Sequence, residues 1–306
     1  MPLDELPDWL HGWCLDHLGA EPVDVLFRLW QMSMVFGLRL ADGADVVVKA
    51  RTDDGRAASC VAAQARLAER GFPCARPFTP VVTVGSLAVH AEEFRPGGDV
   101  LHGDSPDVAV RCAEVFARLM AELADVTVPP PLPNPRWARW DHADSVLWPA
   151  IGFLDERDQS VVPAHVVDTA ERARGRLLAA DLPCVLGHAD FEAQNLRWRG
   201  SEVWAVHDWD SLAWQPEAAL VGAASGTFAS TTPPVLAPIA SSEAFLVAYQ
   251  DFRGRSFTAA EQEVAWAAGL WPAAHNARWE ALHGDTPLCG TALRLQGAER
   301  LRRANA

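Results

Sequence analysis

Apolar and polar positions alternate along this chain with two different periods, and the change between them predicts its layout. Residues 7–19 (PDWLHGWCLDHLG) carry apolar side chains at helical spacing and predict a short amphipathic helix. From residue 23 the period becomes that of strands, in the runs VDVLFRLWQ, MVFGLRLA and ADVVVKAR, with a turn at Asp42-Gly43 between the last two. Residues 56–70 (RAASCVAAQARLAER) have helical composition and stop at Gly71, a residue suited to the left-handed position that ends a helix. Two further apolar stretches, RPFTPVVTVG and SLAVHAEEF, read as extended. The first hundred residues therefore predict β-β-β-α-β-β.

Arg95-Pro96-Gly97-Gly98 reads as a hinge. Beyond it the helical period dominates. Residues 105–124 begin with a serine N-cap and carry an apolar stripe, and 126–135 (VTVPPPLPNP) form an extended proline-rich connector. Helices are expected over 163–180, 216–226, 241–252, 258–283 and 290–304. Between 188 and 210 the pattern is loop, strand, turn at Arg199-Gly200-Ser201, strand, loop. The expected class is α+β in two lobes: a β-rich N-lobe over 1–94, a hinge over 95–98 and a mostly helical C-lobe over 99–306.

Composition changes this picture little. The chain has 306 residues, 49% of them hydrophobic and 22% charged, which suits a globular protein. The start, MPLDELPDWL, is acidic and no apolar run reaches membrane-spanning length, so a cytoplasmic protein with no membrane partner is expected, monomeric or homodimeric. Cys14, Cys60, Cys74, Cys112, Cys184 and Cys289 are scattered with no CxxC pair, and read as reduced core residues. The formal net charge of −14 argues against nucleic acid as a partner and is compatible with a cationic ligand. Of 26 basic residues (Lys plus Arg) only Lys49 is a lysine. Against such a bias a retained ammonium is informative, because the planar guanidinium fork does not imitate it.

The segment HADFEAQNLRWRGSEVWAVHDWD, residues 188–210, carries the chemistry. Asp190 is placed to accept a proton from an attacking hydroxyl, and Asn195 and Asp208 offer hard oxygens of the kind Mg²⁺ takes beside a nucleoside triphosphate. Lys49, ending the run VVVK, can pair with phosphates. His188 is expected to brace the loop through hydrogen bonds. Asp210 is read either as a second acid or substrate contact near the metal, or as the N-cap of a following helix.

These motifs resemble the aminoglycoside phosphotransferase family, small-molecule kinases related to protein kinases. HADFEAQN is similar to the family's His-Gly-Asp-x-x-x-x-Asn loop and VHDWDSL to its Ile-Asp-Trp-Glu/Asp motif, while VVVK, the later GFPCARP and the two-lobed order also match, over roughly residues 20 to 290. The resemblance implies a bilobal protein-kinase-like fold, an N-terminal antiparallel sheet with one main helix, ATP or GTP as donor, and Mg²⁺. It implies Asp190 as catalytic base, Asn195 and Asp208 as metal ligands, Lys49 and a loop reaching Ser33 on the phosphates, and the backbone near Glu92, Glu93 and Phe94 against the nucleotide base. Glu92 and Glu93 themselves read as a solvated polar edge.

Three positions depart from the pattern. Ala189 stands for a glycine, the phosphate-covering loop Trp30-Gln31-Met32-Ser33 has no glycine, and Cys60 occupies the place where the family carries a helix glutamate facing the lysine, with Gln64 one turn later. Glu192, Asp210 and Glu217, then Glu280 and Asp285, are candidates to grip a cationic acceptor. Trp198, Trp204, Trp209, Trp214, Trp266, Trp271 and Trp279 read singly as packing residues. The leading expectation is transfer of a γ-phosphate to a hydroxyl of a small molecule, with an aminoglycoside-like antibiotic and a metabolite of the choline or homoserine type as acceptor classes. A catalytically impaired nucleotide-binding pseudokinase and a two-metal hydrolase built on His188, Asp190, His207 and Asp208 are the competing expectations.

Overall fold

In the computed structural model, which describes residues 6–30 and 33–306, the chain divides into two compact units. The first comprises residues 1–98, 126–133 and 204–210, and the second 99–125, 134–203 and 211–306.

The first unit follows from strand alternation. After α1 (Asp8–Leu18), the strands β1 (Pro22–Trp30), β2 (Met34–Leu40) and β3 (Asp45–Thr52) form consecutive antiparallel pairs. The Asp42-Gly43 turn closes as expected: Gly43 has φ +88° and the Asp42 carboxylate accepts from the Ala44 amide at 2.9 Å. Then follow α2 (Ala57–Glu69), β4 (Val82–Val84) and β5 (Leu87–Glu93), giving one sheet in the order β1-β2-β3-β5-β4. Side chains alternate across it. Phe36, Leu38, Val46, Val48, Ala50, Val89 and Ala91 pack with Leu10, Trp13 and Cys14 of α1 into a buried core. Each large apolar side chain fully buried there contributes roughly 1.5–3 kcal/mol. The same alternation sends Lys49 and Arg51 to the opposite face, where α2 lies against them.

The expected strand over residues 76–85 shrinks to Val82–Val84. Pro77 and Pro80 have no N–H to give a ladder, and residues 76–79 meet β5 through an isolated bridge at Pro77 and Glu92, with Phe78 N donating to Ala91 O and Glu93 N to Arg76 O, both at 2.8 Å.

The second unit contains α3 (Pro106–Leu123), the single turn α4 (Gly152–Asp155), α5 (Ala164–Leu178), β6 (Cys184–His188), β7 (Leu196–Arg199), β8 (Glu202–Val206), β9 (Leu212–Pro216), α6 (Glu217–Thr227), α7 (Ile239–Arg253), α8 (Ala259–His283) and α9 (Leu288–Ala304). The unit boundary falls within β8. The helix ends carry the signals that the sequence offered. Ser105 caps α3 through the Val108 amide with Pro106 at the first turn, and Thr258 with Glu261 forms a capping box on α8. Among the described residues no helix is long and apolar enough to cross a membrane.

An aromatic group at α8 sets a pH dependence. His275 lies 6.2 Å from the Trp148 ring, itself 5.6 Å from Trp271 and beneath the Arg278 guanidinium. Burial, and then the Arg278 charge, lowers the His275 pKa from 6.5 to about 4. Between those values the unfolded chain binds more protons than the folded one, so stability rises with pH across that window. From pH 7 to pH 5 wild type should lose about 2 kcal/mol from this group. In His275→Gln that increment should vanish, which urea denaturation at both pH values will measure; equal pH slopes in the two proteins would refute the assignment.

Candidate active site

In the second unit, β6 and β9 pair antiparallel with His188 opposite Leu212, and the Ala189 amide donates to Ser211 O at 2.8 Å. This short ladder pins both ends of the segment 188–212. The sequence reading left Leu212–Pro216 without a strand, since five residues with one polar position carry little periodicity. Gly187 packs closely just before the loop: a Cβ there would sit 2.5 Å from Leu220 and 2.8 Å from the Met120 sulfur, so those side chains would have to shift.

The loop itself is anchored by Phe191, which is buried and 4.7 Å from the Phe116 ring on α3. The Asp190 amide donates to His188 Nδ1 at 3.2 Å, so the fully buried imidazole braces the turn as expected. Asn195 Nδ2 donates to both Asp190 O and Asp190 Oδ2 at 2.9 Å. Both N–H groups of Asn195 are thereby spent on Asp190, which fixes that carboxylate and leaves the amide oxygen as the acceptor Asn195 presents.

Lys49, Asp208 and Asp210 lie in the first unit. Lys49 Nζ is 2.8 Å from Glu92 Oε1. This corrects one sequence expectation and fills a position the sequence left open. Glu92 is no solvated edge but is only 3% exposed, and the carboxylate facing Lys49 comes from β5 and not from the helix. The register explains it: Lys49 stands opposite His90, and Glu92, two residues on, shares its face. A glutamate ending an otherwise apolar run was the signal available in the sequence; it needed the β3/β5 register to be used. Gln64 Nε2 donates to Glu92 Oε2 at 2.8 Å and to Ala75 O at 2.9 Å. Burial opposes the Lys49 charge, but Glu92, then Asp210 and Asp208, more than offset it and hold the ammonium charged above its usual range. Burial likewise opposes ionisation of Glu92, and Lys49 with His90 outweighs it, keeping the carboxyl well below its ordinary value. Cys60 is fully buried, its thiol pushed up to about 11 chiefly by burial, and it stands beside Arg51.

Asp208 has φ +60°, a left-handed backbone that aspartate tolerates better than most residues. Its neighbours hold that shape. Trp209 is buried, donates from Nε1 to Val206 O at 3.0 Å and meets the Phe72 ring edge-on at 6.0 Å. Asp210 pairs with Arg51 at 3.2 Å. The N-cap reading of Asp210 fails: a 3-10 turn over Trp209–Ser211 leads into β9, and the next helix starts at Glu217.

The remaining candidates are engaged within the protein. Glu192 is buried and accepts from Gln194 Nε2 at 2.7 Å. Glu217 accepts from Tyr249 Oη at 2.6 Å and pairs with Arg253 and Arg255. Glu280 accepts from the Cys289 and Gly290 amides at the start of α9. Glu93 accepts from the Arg76 amide at 3.3 Å, and the Phe94 ring is 5.8 Å from Phe27. Ser33 forms a bend after β1, while Gln31 and Met32 lie outside the described residues. Trp198, Trp209, Trp266 and Trp271 are buried in packing, whereas Trp214 and Trp279 are partly exposed.

Asn195 offers an amide oxygen and Asp208 a carboxylate, each a donor type that a hard divalent cation takes. Among the described residues no three His, Cys, Asp or Glu side chains are grouped to hold a metal.

Comparisons with known proteins bear on the fold and the family. The chain is similar in structure to the amicoumacin kinase hAmiN in complex with AMP-PNP, Ca²⁺ and Ami (TM-score 0.64, 13% identity, 92% of this chain and 89% of that one). It is also similar to a putative aminoglycoside phosphotransferase from Ralstonia eutropha JMP134 (TM-score 0.58, 16% identity, 97% of each chain). A thermostable aminoglycoside phosphotransferase APH(4)-Ia, in ternary complex with ADP and hygromycin B, superposes with TM-score 0.57 at 14% identity over 97% and 99%. No curated protein sequence matches the chain. At these identities the likeness shows the fold, a protein-kinase-like one. The model of the phosphotransferase enzyme family (APH) matches residues 35–238, two thirds of the sequence, and the chain belongs to that family.

Proposed function

We propose that the protein transfers the γ-phosphate of ATP, or of GTP, to a hydroxyl of a small molecule with Mg²⁺ as the metal. The observation that carries this reading is the Asp190–Asn195 pair, a carboxylate locked in one orientation by an amide whose own oxygen remains to be offered. Asp190 takes the proton of the acceptor hydroxyl as the new O–P bond forms. Lys49, kept charged by its buried partner, neutralises phosphate oxygens. Asn195 and Asp208 would hold Mg²⁺, which when bound screens the phosphate charge.

The acceptor class follows from what the acids are doing. Glu192, Asp210, Glu217 and Glu280, read from the sequence as grips for a cation, are each committed to partners inside the protein. A neutral or singly charged alcohol therefore ranks above a polycationic aminoglycoside. The pseudokinase alternative loses its main motive, since Lys49 has a carboxylate partner.

The test is incubation with ATP or GTP, Mg²⁺ and a panel of neutral, singly charged and polycationic alcohols. Nucleoside diphosphate formed only with an acceptor supports the reading. Absence of any acceptor-dependent product, with nucleotide bound, returns the pseudokinase alternative. Asp208→Asn should raise the Mg²⁺ needed for half-maximal rate by about tenfold or more, measured by metal titration at saturating ATP; an unchanged requirement would remove Asp208 from the metal.

A further inference from the structure

We propose that Glu92 of β5 is the residue that positions Lys49 for nucleotide phosphates, with Gln64 of α2 as its brace. This rests on the kinase reading above and deepens it, because it assigns to a strand the role that the family pattern gives to a helix glutamate.

Three observations carry it. The carboxylate is held at both oxygens, by Lys49 on Oε1 at 2.8 Å and by Gln64 on Oε2 at 2.8 Å. Its distance from Lys49 is set by the main-chain ladder between β3 and β5, in which Val47 faces Glu92 and Lys49 faces His90. The helix position expected to supply an acid holds Cys60, a neutral buried thiol lying beside Arg51. Helix α2 thus reaches Lys49 only through an amide. Gln64 is itself fixed by Ala75 O, in the segment after the helix, so neither bond leaves the carboxylate a second orientation.

The charged and titratable groups around the ammonium are Glu92 and His90 on β5, Asp208 and Asp210 after β8, and Arg51 on β3; α2 contributes the neutral Gln64 and Cys60. Of these, Glu92 is the acid in direct contact. Without it, burial would act on Lys49 with less opposing negative charge, and burial lowers the pKa of an ammonium. The variant should therefore release the Lys49 proton at lower pH and grip phosphate less well as pH rises.

The single lysine makes this directly measurable. In protein labelled with [¹⁵N]lysine, the side-chain Nζ signal belongs to Lys49 alone. We expect Glu92→Gln to lower its titration midpoint by about one unit or more and to weaken Mg²⁺–AMP-PNP binding by about tenfold or more, increasingly so at alkaline pH. Should Glu92→Gln fail to fold, Glu92→Asp keeps the charge but withdraws it by one methylene, and must still lower the midpoint and the affinity. Unchanged midpoint and affinity in either folded variant overturns the proposal. Wild type that binds no Mg²⁺–AMP-PNP overturns the kinase reading along with it, whereas wild-type binding with an indifferent Glu92→Gln overturns this assignment alone.

Discussion

Replacing Asp190 with asparagine should lower kcat by roughly 10²–10⁴-fold while leaving KM for ATP within about threefold. The substitution is nearly isosteric. Its amide oxygen can still accept from Asn195 Nδ2, so the bond now 2.9 Å long need not be lost. The His188 brace uses the main-chain amide and is untouched by the change. What disappears is the negative charge and the capacity to take a proton. On the proposed mechanism that affects the step in which the acceptor hydroxyl attacks, and a loss of this size corresponds to about 3–5 kcal/mol of transition-state stabilisation. Steady-state kinetics with both substrates varied will separate the outcomes. A normal kcat would eliminate Asp190 as the base. A raised KM for ATP with normal kcat would instead move Asp190 into ground-state nucleotide binding.

The second large effect concerns stability, and its sign is the test. Gly222→Ala should destabilise the protein by about 3 kcal/mol or more, although alanine is the better helix former by about 1 kcal/mol. A Cβ at Gly222 would lie 2.1 Å from Ala265 O and 2.6 Å from Ala265 C, both main-chain atoms of α8 that no rotamer change can remove. Helices α6 and α8 must then separate, opening a core in which Leu220, Ala265 and Ala268 are buried. Gly226, whose Cβ would come 2.7 Å from Gly269 O, should show the same sign with a smaller effect. For a chain of this size the expected fall in Tm is roughly 6–10 °C, read by calorimetry. A Tm at or above wild type would show that α6 and α8 are not packed backbone to backbone.

Much of this site was legible because its residues are neighbours in sequence. Asp190 and Asn195 are five apart on one loop, and Asp208 follows one hairpin later, so spacing alone exposes them. Lys49 stood out as the single lysine. The partners were not legible in the same way. Glu92 and Lys49 are separated by a helix and a strand, and only the antiparallel register decides that Glu92 shares a face with Lys49. Likewise Arg51 and Asp210 meet at 3.2 Å across most of the chain's length, which turned a candidate substrate contact into one half of an internal ion pair. Glu217 was plausible on the surface of a helix and is instead held by Tyr249 and Arg255 from elements that lie beyond it.

Periodicity and local motif chemistry, which depend on short-range geometry, were enough for most strands and helices and most helix ends, and they named the carboxylate proposed to react. Tertiary structure decided which charges neutralise one another, because pairing inside a protein depends on burial and on distances of 3 Å that connect residues far apart in sequence. It placed Lys49 with a strand glutamate in the position where the helix offers a buried thiol, assigned Asp208 to the same unit as Lys49, and required glycine where α6 meets α8.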